Sequence, residues 1–366
     1  MKQAFNDLLN DRQFSVMLKG FVPWLPKGLR NGLLKLAFIG IKTPLDFQKR
    51  FMKPIVWHVI HKHTDGCILD DKGLEFCSKQ NDRYTFVSNH RDIVLDSAFL
   101  DVLLVKAGYP TTVEIGIGDN LLIYPWIKRL VRMNKAFTVR RGLSLRETLA
   151  ASQLMSRYIH YAVTQKHENI WIAQREGRAK DSSDHTQDAV LKMLAMGGDI
   201  KELNIVPLTI SYEFDPCDYL KAQEFQQKRD KPGFKKSRQD DLDNMRTGIF
   251  GYKGRVRYTC AAPINKWIDE LSHLPKTEWF KALAERMDRE IYRGYVLYPC
   301  NYIALDELEG SQTYANHYTP KDKERFEQYL QGQLAKITIP NKDEAFLRER
   351  MVTMYANPVR NYLAVQ

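Results

Sequence analysis

The chain has 366 residues, 44% of them apolar and 27% charged, and a formal net charge of +11. This supports a sizeable core and excludes a disordered chain, while no run approaches the ~18 apolar residues of a membrane span. Met1–Asn10 lacks the apolar core and small-residue cleavage site of a secretory signal, and Cys67, Cys77, Cys217, Cys260 and Cys300 include no CxxC pair, as expected of reduced thiols in a cytosol-facing protein.

The charge is concentrated at the start. Residues 1–62 hold eleven Lys and Arg against three acids, an excess of eight. Interleaved among them are Phe14, Leu18, Phe21, Val22, Trp24, Leu25, Leu33, Leu34 and Phe38. Basic residues mixed with bulky aliphatics and Trp suit a surface of anionic lipid. A nucleic-acid partner would call for stacking aromatics or a recognition helix, and the stretch offers neither. Residues 1–64 are therefore expected to form basic, amphipathic, membrane-binding helices, broken at Pro23, Pro26 and Gly28. The expected location is peripheral, on the cytoplasmic face of a membrane.

Residues 65–265 alternate between strand and helix patterns. Strands are expected at Tyr84–Ser88, Thr111–Gly116, Phe137–Arg140, Asn169–Ala173, Ile205–Tyr212 and Arg255–Ala261. Helices are expected at Asp92–Lys106, Leu121–Met133, Leu145–Thr164 and Gln187–Met196. The order predicts an α/β domain with a mainly parallel sheet covered by helices, its active residues at the carboxyl ends of strands. Residues 217–250, rich in Lys and Arg, interrupt the pattern and read as a solvated loop or as a flap near an anionic carrier. Residues 266–366 read as a helical C-terminal extension, with segments near Glu278–Tyr292, Pro320–Gln333 and Asp343–Tyr355.

Four short blocks sit at strand boundaries. Asn89–Asp96 (NHRDIVLD) places His90 directly after a strand, where an imidazole can act as a general base oriented by a carboxylate; Asp92 and Asp96 are the candidates. Lys135–Arg141 (KAFTVRR) ends in Arg140 and Arg141, which point to opposite sides of a strand end; a guanidinium there can clamp a phosphate. Ala173–Asp181 (AQREGRAKD) gives Glu176, Gly177 and Arg178 in succession, and Ile205–Glu213 (IVPLTISYE) is a buried strand bearing Pro207.

Taken together and in this order, the blocks resemble those of the glycerolipid acyltransferase superfamily, which includes glycerol-3-phosphate and 1-acylglycerol-3-phosphate acyltransferases. Gly118–Pro125 (GDNLLIYP) and Gly254–Ile264 (GRVRYTCAAPI) resemble further stretches of that family. The resemblance covers residues 65–265. It implies O-acyl transfer from acyl-CoA or acyl carrier protein to the hydroxyl of lysophosphatidate or glycerol-3-phosphate, by direct attack on the thioester and without metal or cofactor. His90 would be the base and Asp96 its orienting acid. Arg141, with Arg140 beside it, would bind acceptor phosphate. Glu176, Gly177 and Arg178 would shape that site, and Pro207 would help position the acyl carrier. The pattern departs from the family at three places. The acid falls one residue later than in the usual His-x4-Asp, Lys135 stands where a Gly usually opens the second block, and Arg178 follows Gly177 directly. Another lyso-lipid acceptor, such as an aminolipid, and a non-catalytic membrane adaptor are the alternatives.

Overall fold

In the computed structural model, residues 1–21, 23–122 and 124–366 are described; Val22, Ile123 and the side chain of Phe21, which fall in segments named above, lie outside the described residues. Helices α1 (Lys2–Asn10), α2 (Arg12–Phe21), α3 (Lys27–Ala37), the single turn α4 (Pro44–Asp46) and α5 (Lys53–His63) open the chain. The central domain runs β1 (Cys67–Asp70), β2 (Thr85–Ser88), α6 (Leu95–Lys106), β3 (Val113–Gly118), α7 (Pro125–Met133), β4 (Ala136–Val139), α8 (Leu145–Thr164), β5 (Asn169–Ala173), α9 (Asp188–Leu194) and β6 (Ile205–Tyr212). Then follow α10 (Asp218–Asp230), α11 (Arg238–Phe250), β7 (Val256–Cys260), α12 (Lys276–Arg293), α13 (Pro299–Glu309), α14 (Pro320–Leu334) and α15 (Glu344–Leu363).

The seven strands form one sheet in the order β1-β7-β6-β2-β5-β3-β4. Every neighbouring pair is parallel except β6 with β7. The fold is α/β, as the alternation predicts. Both faces of the sheet are covered, so β6 is buried at all eight positions and α6 buries residues around most of its circumference. Pro207 tolerates its central strand for a local reason. It pairs with β2 at Val87, and its carbonyl accepts from Ala261 just past the end of β7, so the missing N–H falls on the side where the β7 ladder has already stopped.

Two regions differ from expectation. Residues 217–250 are two helices rather than a loop. Helix α10 buries Asp218, Lys221, Glu224 and Gln226 instead of an apolar stripe, so no hydrophobic period announces it. Lys221 is satisfied by an ion pair with Asp215, and Asp218 by Tyr355 and Gln333, which ties α10 to the C-terminal helices. The apolar side chains of the N-terminal helices also divide. Phe14, Leu18 and Phe38 join a core with Phe5, Phe47 and Phe51, and Arg30 is buried and donates to Ser15 at 2.8 Å. Val16, Trp24, Leu29, Leu33, Leu36 and Ile39 stay exposed. Among the described residues no helix is long and apolar enough to cross a membrane.

Candidate active site

The site forms at the carboxyl ends of β2, β5, β3 and β4, which lie side by side in that order. After Ser88 the chain leaves the sheet, and the side chain of Asn89 takes over its pairing. The Asn89 amide donates to the Ile210 carbonyl at 3.0 Å and accepts from the Ile210 N–H at 2.8 Å, continuing the ladder with β6. His90 is thereby held at a fixed height above the sheet. Its ring meets Trp171 of β5 edge to face at 5.5 Å, and the Trp171 indole N–H donates to Ser88 at 3.0 Å.

His90 Nδ1 lies 2.8 Å from Asp96 Oδ2. The same carboxyl oxygen accepts the backbone N–H groups of Arg91 at 2.7 Å and Asp92 at 3.1 Å, and Tyr212 donates to the other oxygen at 3.3 Å. An oxygen receiving two N–H donors is an acceptor, so His90 Nδ1 carries a proton toward it; in the neutral ring the lone pair is then on Nε2. Asp92 has another task. Its Oδ1 accepts from the N–H groups of Val94 and Leu95, both at 2.8 Å, which caps the first turn of α6. The turn over residues 89–94 is not helical, and this lets His90 and Asp96 meet at a separation no regular helix would allow. Helix α6 accordingly starts at Leu95, three residues later than its apolar pattern suggests.

Asp92 is fully buried. Burial, and then the nearby Asp96 charge, push its carboxyl above the usual range. Behind it lies Lys253, whose ammonium donates to the Gly251 carbonyl at 2.7 Å. Burial lowers Lys253 to about 8, against the opposing pull of Asp92.

On the other side, Arg140 and Arg141 follow β4 at the edge of the sheet and are both exposed. Arg141 reaches inward across the end of β3. A Cβ added to Gly118 would lie 2.9 Å from Arg141 Nε, so the guanidinium crosses that backbone because no side chain stands there. Its Nη1 comes within 3.5 Å of Glu176 after β5. Arg141 thus lies across the end of β3, two strands from β2, which leads to His90, with β5 between them; at a strand spacing of ~5 Å that is about 10 Å. Gly177 has φ +70°, the left-handed conformation glycine adopts without strain, and it turns the loop after Glu176.

The remaining residues of the blocks lie elsewhere. Arg178 donates to Asn244 of α11 at 3.0 Å, and Pro207 is inside the sheet at the level of Val87. Lys135 has φ +58°, a conformation glycine would take freely; its buried ammonium is held by Glu168 at 2.6 Å and by Thr111 and Thr112. That anchoring holds a lysine in a backbone conformation that glycine would take without strain.

Three groups at the site have no signal in the sequence. Arg91, next to His90, is buried, donates to Ser182 and lies 3.9 Å from the fully buried Asp184. Burial raises the Asp184 carboxyl, partly offset by the Arg91 charge, and among the described residues neither of its side-chain oxygens has a hydrogen-bond donor. The side-chain amide of Gln174, just past β5, is also buried with neither atom paired among the described residues, although its backbone N–H donates to the Ser88 carbonyl. Among the described residues, no group of three or more His, Cys, Asp or Glu side chains is placed to hold a metal ion.

No family model matches the chain, and no curated protein matches it. Among solved structures it is similar to the crystal structure of the 1-acyl-sn-glycerophosphate (LPA) acyltransferase PlsC from Thermotoga maritima. The identity is 12%, the match covers 80% of this chain and 96% of that one, and the TM-score is 0.41.

Proposed function

We propose that the chain is an O-acyltransferase acting on a phosphate-bearing lyso-lipid or glycerol phosphate at a membrane surface, with a thioester as acyl donor. The observation that carries this reading is an imidazole held by a buried carboxylate, His90 on Asp96, on the same end of the sheet as an exposed guanidinium, Arg141, two strands away. The acceptor phosphate takes the Arg141 guanidinium, whose contact with the two-thirds-exposed Glu176 at 3.5 Å is loose enough to yield. The acceptor hydroxyl donates to His90 Nε2. As its oxygen attacks the thioester carbon, the proton passes to His90, and Asp96 stabilises the imidazolium. The C–S bond then breaks, and His90 returns the proton to the departing thiolate. The carbon–oxygen bond is made directly, so no acyl group rests on the protein.

The lipid enters from the surface that the N-terminal helices present. Val16, Trp24 and Leu25 line a groove of about 430 Å³ with Lys19 and Lys27, and Leu29, Leu33, Leu36 and Ile39 extend the exposed apolar surface. These side chains supply the apolar insertion and the basic attraction that docking on anionic lipid requires.

The deciding experiment incubates purified protein and a labelled acyl donor with glycerol-3-phosphate, lysophosphatidate and a lyso-aminolipid. Transfer to the two phosphates is expected. Transfer to the aminolipid alone would reassign the acceptor, and no transfer to any of the three would defeat the reading.

A further inference from the structure

The α10–α11 region holds a cluster that the proposed chemistry leaves unused. Glu224 of α10 is buried, and its carboxylate receives three ammonium groups: Lys180 at 2.6 Å, Lys228 at 2.9 Å and Lys236 at 2.8 Å. Burial alone would raise Glu224; hydrogen bonds from the three lysines override it and hold the carboxyl at about 2. Among the described residues none of the three lysines has a second carboxylate within 4.0 Å, so two positive charges remain unmatched. The lysines are a quarter to a half exposed, within reach of a ligand from solvent. They come from three separate segments, namely the loop after β5, the body of α10 and the α10–α11 turn. A face that is merely solvated does not gather like charges from three segments onto one buried acid.

Helix α11 connects this cluster to the catalytic turn. At its far end, Gly248 lies against Asp92: a Cβ there would meet Asp92 Oδ2 at 2.0 Å. One turn earlier, Asn244 receives Arg178 from the loop that carries both Glu176 and Lys180. Lys236 precedes Gly248 by twelve positions, about 18 Å at the helical rise of 1.5 Å per residue. A phosphopantetheine arm, the part shared by coenzyme A and acyl carrier protein, has about thirteen bonds between its thioester sulfur and its phosphorus, and spans about 16 Å when extended. The length of the arm is thus comparable with the distance from the catalytic turn to Lys236.

We infer that Lys180, Lys228 and Lys236 form the binding site for the phosphate of a donor phosphopantetheine arm. The proposal rests on the acyl-transfer reading for its biological setting, but binding can be measured without turnover. The full chain is titrated with 4′-phosphopantetheine and with pantetheine, which lacks the phosphate. Phosphopantetheine binds the unmodified protein at least about tenfold more tightly, the scale of a hydrogen bond to a charged group. Lys180→Gln with Lys236→Gln abolishes that difference, and Glu224→Gln, which removes the competing carboxylate, strengthens phosphopantetheine binding. Lys228→Gln, a half-exposed position that guards against misfolding, weakens it about threefold. Equal binding of the two ligands by the unmodified protein overturns the site, as does phosphopantetheine binding that the lysine variants leave unchanged.

Transfer assays then separate the sources of the arm. A rise in KM of the lysine variants for both acyl-CoA and acyl carrier protein assigns the shared phosphate, and a rise for acyl-CoA alone assigns coenzyme A. Protein that binds phosphopantetheine through the lysines yet transfers no acyl group keeps the site and loses the acyltransferase reading.

Discussion

Asp96 is fully buried and accepts four hydrogen bonds, and the His90 side chain on it is only 14% exposed. Arg141 and Glu176, at the other end of the proposed site, are 35% and 68% exposed and meet at 3.5 Å in a single contact. The two ends answer to different physics. Proton transfer depends on hydrogen-bond geometry within a few tenths of an ångström, and the proposed base His90 is held through Asp96 by bonds to the backbone and to Tyr212. In the proposed reaction the guanidinium attracts a phosphate over a longer range and admits it from solvent, which fits its loose single contact.

If that contrast is right, disturbing the fixed end costs turnover and disturbing the open end costs affinity. The largest effect is expected at His90. His90→Ala should lower kcat about 10²–10⁴-fold and lower the unfolding midpoint modestly, through the lost contacts with Asp96 and Trp171, while the variant still folds. Near-normal turnover in the folded variant would remove His90 from the chemistry.

Asp96→Asn should lower kcat about 10²-fold and also destabilise the fold by roughly 1–3 kcal/mol, since two N–H donors depend on the carboxylate. Asp92→Asn should affect stability more than rate, and steady-state kinetics beside denaturant titration separates the two. A larger rate loss for Asp92→Asn would reverse the roles.

Lys253 tests how firmly the fixed end is backed. Its folded pKa of about 8 lies below the unfolded value of 10.5. Between those limits the unfolded chain binds more protons, so this group makes stability rise with pH from about 8 to 10.5. Measured against Lys253→Met, the unmodified protein should gain roughly 2 kcal/mol across that window, and parallel curves would show that Lys253 keeps an ordinary pKa.

At the open end, Arg141→Ala should raise the acceptor KM about tenfold and leave the donor KM unchanged. A change confined to the donor would move Arg141 to the carrier side. The smallest effect belongs to Gly118→Ala. The new methyl lies 2.9 Å from Arg141 Nε and 2.5 Å from Asn120 Oδ1, and the exposed guanidinium can move aside, so a KM increase of about threefold is expected. A fall in kcat instead would mean that the crossing at Gly118 serves the reacting centre and not the phosphate.

Much of this was legible in the sequence because it is written in local periods. The strands Asn169–Ala173 and Ile205–Tyr212 and the helix Leu145–Thr164 have the bounds that their patterns suggest, since each carries a clear apolar repeat and α8 a Ser144–Glu147 capping box. His90, Arg141 and Glu176 stood out because each lies within three residues of a strand's carboxyl end, where parallel sheets collect their chemistry. Sequence spacing could not choose between Asp92 and Asp96, because the turn at 89–94 is irregular and the choice depends on which carboxylate the backbone N–H groups of that turn surround. Nor could it divide the N-terminal side chains into the core set with Phe14 and Phe38 and the exposed set with Trp24 and Leu33, since both carry the same residue types. Helix α10 was hidden for the opposite reason: it is held by buried ion pairs and hydrogen bonds, not by an apolar face. The crossing of Arg141 over Gly118 and the meeting of three lysines on Glu224 join segments far apart in the chain. Local propensity fixes which way a strand or helix runs, but which charges end up sharing one carboxylate is decided only when the elements pack.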